Sequence, residues 1–219
     1  ISGAGGFLGG QLKIHLSKKN IVETVSLREN FESKILSFKP DVFINCAWSC
    51  ASSFADIQDI KQFENIEKGI KLFKVLGKLE KLYFVGLGSF SEYGDKVEPI
   101  AEDELENPSS LYGLTKKTFK LISEHLCEIK SFPWLWVRPC YVFGPNDVST
   151  RLVPKVINHC LDGETITLDS CESIVDYLYV DDFTYALESL ILQDKQGVYN
   201  ICSGKQYKIK DVIREIEKL

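Results

Sequence analysis

Apolar positions along this chain change spacing several times, and each change marks an expected element. Residues 41–47, Asp-Val-Phe-Ile-Asn-Cys-Ala, form an almost unbroken apolar run, the pattern of a strand covered on both faces. Residues 57–79 repeat apolar side chains at Ile60, Phe63, Ile66, Ile70, Phe73 and Leu76, which predicts one long amphipathic helix. Leu12, Ile14 and Leu16 predict a helix behind a glycine-rich start, and residues 31–38 predict a short one that Pro40 ends. Further strands are expected at 21–27, 81–89 and 134–137, and Ser110 is placed to cap a helix carrying Tyr112, Lys116, Phe119, Leu121 and Leu126. A loop-like stretch from Arg138 to Asp147 marks a boundary. Beyond it the pattern predicts a helix at 151–161, strands at 164–169 and 174–180, a helix capped by Asp181 and Asp182 that runs to Leu192, a strand at 198–201 and a helix at 209–219. Strand alternating with helix predicts an α/β chain on a parallel sheet.

Composition narrows the function classes. With 219 residues, 44% hydrophobic and 26% charged, the chain can bury a sizeable core. A net charge of −5 offers no electrostatic reason to expect nucleic acid or an anionic membrane as partner. No apolar run approaches the ~20 residues that span a bilayer. Seven cysteines (46, 50, 127, 140, 160, 171 and 202) include no Cys-x-x-Cys, and the three histidines have no metal-ligand spacing. Reduced thiols, a cytoplasmic setting and no metal site are the expectations. The chain contains no methionine and opens abruptly on Ile1-Ser2-Gly3. It is either a trimmed fragment or a numbering that runs across missing methionines and disordered residues, and the second is expected.

Candidate chemistry gathers at strand ends, where open parallel sheets bind ligands. Gly3, Gly6 and Gly9 lie three apart where a strand, itself expected ahead of Ile1, turns into a helix. Glycines there permit a tight turn and close approach of a pyrophosphate to backbone N–H groups, those of Phe7 and Leu8 included, at the positive helix end. The second strand ends in Ser26-Leu27-Arg28. An acidic side chain at such a tip accepts from ribose hydroxyls, whereas an Arg pairs with a 2′-phosphate, so NADP(H) is favoured and NAD(H) is the alternative. Ala47 is small enough to let a cofactor approach, and Trp48 reads as a core residue. Tyr112 and Lys116 share one helix face, and a cation beside a phenol lowers its pKa toward useful acid-base chemistry. Ser89, at the end of another strand, can donate to an oxygen beside that phenol.

The ordered set resembles a known family. Gly3-x-x-Gly6-x-x-Gly9, Asn45-Cys46-Ala47, Ser89 ahead of Tyr93-Gly94, Tyr112-x-x-x-Lys116, Arg138-Pro139 before Phe143-Gly144-Pro145, and 176–182 (Asp-Tyr-Leu-Tyr-Val-Asp-Asp) are similar to the extended short-chain dehydrogenase/reductases, the NAD(P)-dependent epimerase/dehydratases of nucleotide sugars. That resemblance implies a Rossmann-type doubly wound parallel sheet (1–144 and 174–196) with a small α/β C-terminal substrate lobe (145–173 and 197–219). It implies a nucleotide-diphosphate sugar in the cleft, Tyr112 as proton donor or acceptor at the sugar C4 oxygen, and Ser89 orienting that oxygen. Lys116 would hold the nicotinamide ribose and lower the Tyr112 pKa, and Ser91, Tyr141 and Asn146 would join the substrate site. A homodimer through the helix of 57–79 and the Tyr112 helix is implied as well.

Departures from the family pattern select among its reactions. The 4,6-dehydratases carry Asp-Glu behind the catalytic hydroxyl, where this chain has Phe90 and Ser91, and the epimerase-reductases that make GDP-fucose carry a Cys that is absent here. A 4-keto-6-deoxysugar reductase or a 4-epimerase remains, with the reductase favoured by residues 88–94 and Arg28. Tyr141 stands where many members have Asn, and Val175 where they have Arg. Arg151 and Asn146 are the candidates to replace those phosphate contacts. A non-catalytic dinucleotide sensor is the rival of another class, and such proteins typically lose the Tyr or the Lys.

Overall fold

The computed structural model describes residues 1–49, 54–96, 99–168 and 170–218. Four parallel strands form the central sheet in the order β1 (Val42–Asn45), β2 (Tyr83–Leu87), β3 (Trp134–Pro139) and β7 (Gly197–Ile201). Ser2 extends it by bridging Asn45 on one side and Val25 on the other, both parallel. Alternation along the strands sends neighbours to opposite faces. Val85, Leu135 and Val137 pack with Leu12 of α1 (Phe7–Leu16) and with Val180, Phe183 and Leu187 of α7 (Val180–Leu192). Phe84, Trp134 and Trp136 pack instead with Leu72, Phe73 and Leu76 of α4 (Phe63–Leu76) and with Phe119 and Cys127 of α5 (Leu111–Lys130). The sheet is therefore covered on both faces, as the Rossmann-type expectation requires.

Smaller elements complete the chain. Helices α2 (Glu32–Phe38) and α3 (Phe54–Ile57) flank β1. Beyond β3, β4 (Tyr141–Phe143) pairs in parallel with β6 (Tyr177–Tyr179), and β5 (Ile174–Val175) pairs antiparallel with β8 (Tyr207–Lys208). Helices α6 (Leu152–Asp162) and α8 (Ile209–Glu217) pack together there. Among the described residues no helix is long and apolar enough to cross a membrane, and the six described cysteines are free. Cys50 lies outside the described residues.

Several expectations need correction. The strand of 21–27 is reduced to a single bridge at Val25, which pairs with Ser2. The helix of 57–79 is interrupted: Asp59 is extended and its side chain accepts from the Lys61 N–H at 2.8 Å, capping a separate 3₁₀ turn at Ile60–Gln62. Its buried stripe is Asn65, Gly69, Leu72, Phe73 and Leu76, while Phe63 and Ile70 stay exposed. Ile14 likewise faces solvent. Residues 164–168 form no strand, and Asp169 lies outside the described residues, as does Leu219 at the end of the last predicted helix. Residues 174–180 divide into β5 and β6. Asp181 and Asp182 lie in the first turn of α7 instead of capping it, still where the helix dipole favours negative charge. Residues 197–201, expected in the lobe, pair with β3 in the main sheet.

The α4–α5 contact depends on one missing side chain. A Cβ at Gly69 would collide with the edge of the Phe119 ring, which is fully buried against Phe73 and Trp136. Gly69→Ala is predicted to destabilise the fold by about 1–3 kcal/mol in urea denaturation despite the better helix propensity of Ala. A change below about 0.5 kcal/mol would contradict this packing.

Candidate active site

The glycine-rich loop is shaped by close backbone approach. Gly3 has φ +73°, and a Cβ there would come within 2.6 Å of the Ala47 nitrogen. A Cβ at Gly9 would strike the Gly3 carbonyl, so the first turn of α1 lies directly on the strand end. Gly5, by contrast, faces open space, and Gly6, the N-cap of α1, supplies no side chain to the helix N–H groups. Those groups include the amides of Phe7 and Leu8, which have no acceptor within the helix. An open glycine face over uncapped amides fits a dinucleotide pyrophosphate, which would take these N–H groups as donors.

Ser89, Tyr112 and Lys116 come together beside it. Ser89 follows β2 and caps a 3₁₀ turn at Phe90–Glu92, its Oγ accepting from the Ser91 N–H at 3.1 Å. That turn rests on the start of α5, where a Cβ at Gly113 would collide with the Ser91 carbonyl. The Ser110 side chain caps α5 as expected, accepting from the Gly113 N–H at 3.1 Å. The Ser89 hydroxyl lies near enough to the Tyr112 phenol to act on its pKa. One turn on, the Lys116 ammonium is 5.7 Å from the Tyr112 ring centroid, donates to the Leu87 carbonyl at 2.6 Å and lies 4.1 Å over the Trp48 indole.

The electrostatics differ from expectation in one respect. Burial pushes the Tyr112 phenol above its ordinary pKa, and what opposes this is the nearby Ser89 hydroxyl and the positive field of Arg151. The Lys116 ammonium is directed to Leu87 and Trp48. Glu92 raises the phenol further.

Beneath the serine turn lies a buried ionic cluster. Glu92 is fully buried and accepts from the Ser89 N–H at 2.8 Å, from the Trp136 indole N–H at 3.0 Å and from Arg138 Nε at 2.8 Å. The Arg138 side chain, also fully buried, donates through Nη1 to the Tyr93 hydroxyl at 2.5 Å and through Nη2 to Glu106, which Lys120 of α5 also contacts. Burial works against the Glu106 carboxylate, yet the Lys120 hydrogen bond and the Arg138 charge hold its pKa below the ordinary value.

Residues 1–202 match the profile of the NAD dependent epimerase/dehydratase family. The chain belongs to that family. It is 28% identical over 152 residues to a trifunctional UDP-glucose 4,6-dehydratase/UDP-4-keto-6-deoxy-D-glucose 3,5-epimerase/UDP-4-keto-L-rhamnose-reductase of Arabidopsis thaliana, covering 67% of this chain and 22% of that protein. It is 22% identical over 217 residues to a dTDP-6-deoxy-L-talose 4-dehydrogenase (NAD(+)) of Aggregatibacter actinomycetemcomitans, covering 98% of this chain and 74% of that one. A solved UDP-glucuronic acid 4-epimerase of Bacillus cereus, in complex with UDP-glucuronic acid and NAD, has the same fold. It superposes with a TM-score of 0.84 at 24% identity, covering 99% of this chain and 81% of that chain. The chain spans 22% and 40% of the length of the first two curated relatives it matches.

Within this epimerase/dehydratase fold the remaining expected residues are placed unevenly. Arg28 is exposed in the turn after Val25, and Ala47 abuts Gly3. Ser91 sits inside the serine turn. Asn146 is exposed in the left-handed region at φ 66°, next to Asp147, whose buried carboxylate takes Arg151 Nη1 at 3.3 Å. Tyr141 is 60% exposed and packs on Tyr177, with no contact to the Ser89–Tyr112 pair among the described residues. Sequence reasoning missed Glu92, Glu106 and the contact between Trp48 and Lys116. A Glu three residues behind a Ser is a capping-box signal that would have found Glu92.

Burial depresses the Lys116 pKa from 10.5 to about 8, with Glu92 and Cys46 acting in the opposite direction. Between those values the unfolded chain binds the extra proton, so this group's contribution to stability rises with pH across that window and is flat below it. Lys116→Met removes it. The stability difference between wild type and Lys116→Met in urea denaturation is predicted to move in favour of the wild type from about pH 8 to about pH 10.5 and to stay constant from about pH 6 to about pH 7.

Proposed function

We propose that the chain carries the active site of an NAD(P)-dependent oxidoreductase acting at C4 of a nucleotide-diphosphate sugar, as a 4-keto-6-deoxysugar reductase. The observation that carries this reading is the placement of the Ser89 hydroxyl near the Tyr112 phenol, with the Lys116 ammonium 5.7 Å from the Tyr112 ring centroid one turn on, at the carboxyl end of β2. A bound nicotinamide dinucleotide supplies the hydride. Tyr112 Oη gives its proton to the C4 oxygen, so a phenol that burial keeps protonated suits the reducing direction. Ser89 Oγ orients that oxygen through a second hydrogen bond. Ser91 and Asn146 are the candidate substrate contacts, together with Tyr141, whose exposure leaves it free to reach a bound sugar. Arg151 brings positive charge toward the phenol and is the candidate partner for the diphosphate.

Arg28 supports NADP(H): its guanidinium is exposed, and no acidic side chain pairs with it among the described residues. Exposed Phe63 and Ile70 on α4 and Leu114 and Leu121 on α5 support a homodimer through these two helices. A 4-epimerase is the second reading, favoured by the likeness to the Bacillus cereus enzyme. It would use the same three side chains with a retained NAD. A non-catalytic sensor accounts poorly for a serine, a tyrosine and a lysine gathered at one strand end.

The test is a panel of dTDP-, GDP-, CDP- and UDP-4-keto-6-deoxysugars with NADPH and with NADH. A reductase consumes one reduced nucleotide per product, and Tyr112→Phe is expected to lower the rate about 10²–10⁴-fold. With NAD and the corresponding 4-hydroxy nucleotide sugars, interconversion of 4-epimers without net consumption would select the epimerase. No reaction with either set of sugars would overturn both.

A further inference from the structure

Lys116 is the most demanding side chain in the site: it is 4% exposed, and its one hydrogen-bond acceptor is a backbone carbonyl. No carboxylate forms an ion pair with it among the described residues. The titratable groups whose fields reach it are Glu92, from the turn behind Ser89, and Cys46, at the end of β1. Tyr112 lies on its own helix. Besides the Leu87 carbonyl, the ammonium lies over the face of Trp48 at 4.1 Å, well inside cation–π range, and farther from the Tyr112 ring, at 5.7 Å.

That indole is held in place. Its Nε1–H donates to Gln62 Oε1 at 3.0 Å, and fully buried Gln62 donates in turn to the Asp56 carbonyl at 2.9 Å. Asn65 of α4 donates to the same Gln62 oxygen at 3.3 Å. The next residue, Ser49, is clamped to Asn65 through its N–H and its hydroxyl, both at 2.9 Å, and Asn65 returns a bond to the Ser49 carbonyl at 3.1 Å. On its other side the ring packs 6.0 Å from Phe119. A half-buried tryptophan fixed at its edge and by its neighbour, with a buried cation over its face, is more than core filling.

We propose that Trp48 is a positioning residue for Lys116, its indole face keeping the ammonium charged and in place between the glycine-loop side of the cleft and the Tyr112 phenol. The part of this that concerns catalysis rests on the function proposed above, but the charge-holding contact can be tested without turnover. The physical reason is that burial strips the ammonium of water, and the indole face at 4.1 Å, the Leu87 carbonyl and the more distant Tyr112 ring replace it. Trp48 also follows Ala47 directly, so the same short segment abuts Gly3 and holds Lys116.

The experiment is a ¹³Cε-lysine NMR titration of the unliganded protein, with the Lys116 signal assigned by its loss in Lys116→Met. Trp48→Leu is expected to lower the Lys116 midpoint by about one pH unit, a tenfold shift in its protonation equilibrium, and Trp48→Phe by less than half of that. Fluorinated tryptophans placed at position 48 keep the ring's size while weakening its quadrupole, and they cover the case in which Trp48→Leu does not fold. The midpoint should fall stepwise with fluorine content. A midpoint that stays fixed or rises in folded Trp48→Leu, or stays flat across the fluorotryptophan series, overturns the proposal. Failure of the sugar panel with a normal shift here would remove the reductase reading and leave the Trp48–Lys116 contact standing.

Discussion

A single buried guanidinium, that of Arg138, is shared among three segments of the chain. From the end of β3 it reaches Glu92 in the serine turn, the Tyr93 hydroxyl, and Glu106 ahead of α5. Removing this cation from water costs several kcal/mol, and only well-placed partners offset that cost. The Arg side chain suits the task because its planar fork presents donors in several directions at once. Tyr93 passes the connection on to Asn200 of β7 at 2.9 Å, and Lys120 brings α5 into the same cluster through Glu106.

The site inherits its geometry from that cluster. Glu92 uses one carboxylate oxygen for the Ser89 N–H and the other for Arg138, so the position of the Ser89 hydroxyl is tied to β3. The turn then rests on Gly113, which brings Ser89 to Tyr112. On the other side of the cleft Gly3, Ala47 and Trp48 lead to Lys116. A constellation held by buried contacts needs little reorganisation when a reaction occurs, which is the condition under which fixed donors and charges are most effective.

Much of this was legible where the determinants are local. The apolar run of 41–47, the strands of 81–89 and 134–137, and the Ser110 cap depend on neighbours within a few residues, and each stands close to its expected place. Features governed by distant partners were not legible. The stripe of α4 turned because Gly69 admits Phe119, which lies on another helix. The second strand is reduced to one bridge between Val25 and distant Ser2, and the helix of 57–79 broke where Asp59 caps its own turn. Glu92 and Arg138 are 46 residues apart, so no spacing rule joins them. Trp48 read as core because apolarity is visible in a sequence and a cation over a ring is not.

The most direct test of the shared guanidinium is a double-mutant cycle in urea denaturation between Glu92→Gln and Arg138→Met. If Arg138 and Glu92 hold the serine turn together, each single change leaves its partner poorly compensated. The double variant should then lose far less than the sum, with a coupling of about 3 kcal/mol or more. Losses that add to within about 0.5 kcal/mol would show that the two side chains are stabilised independently, and would contradict this account of the site.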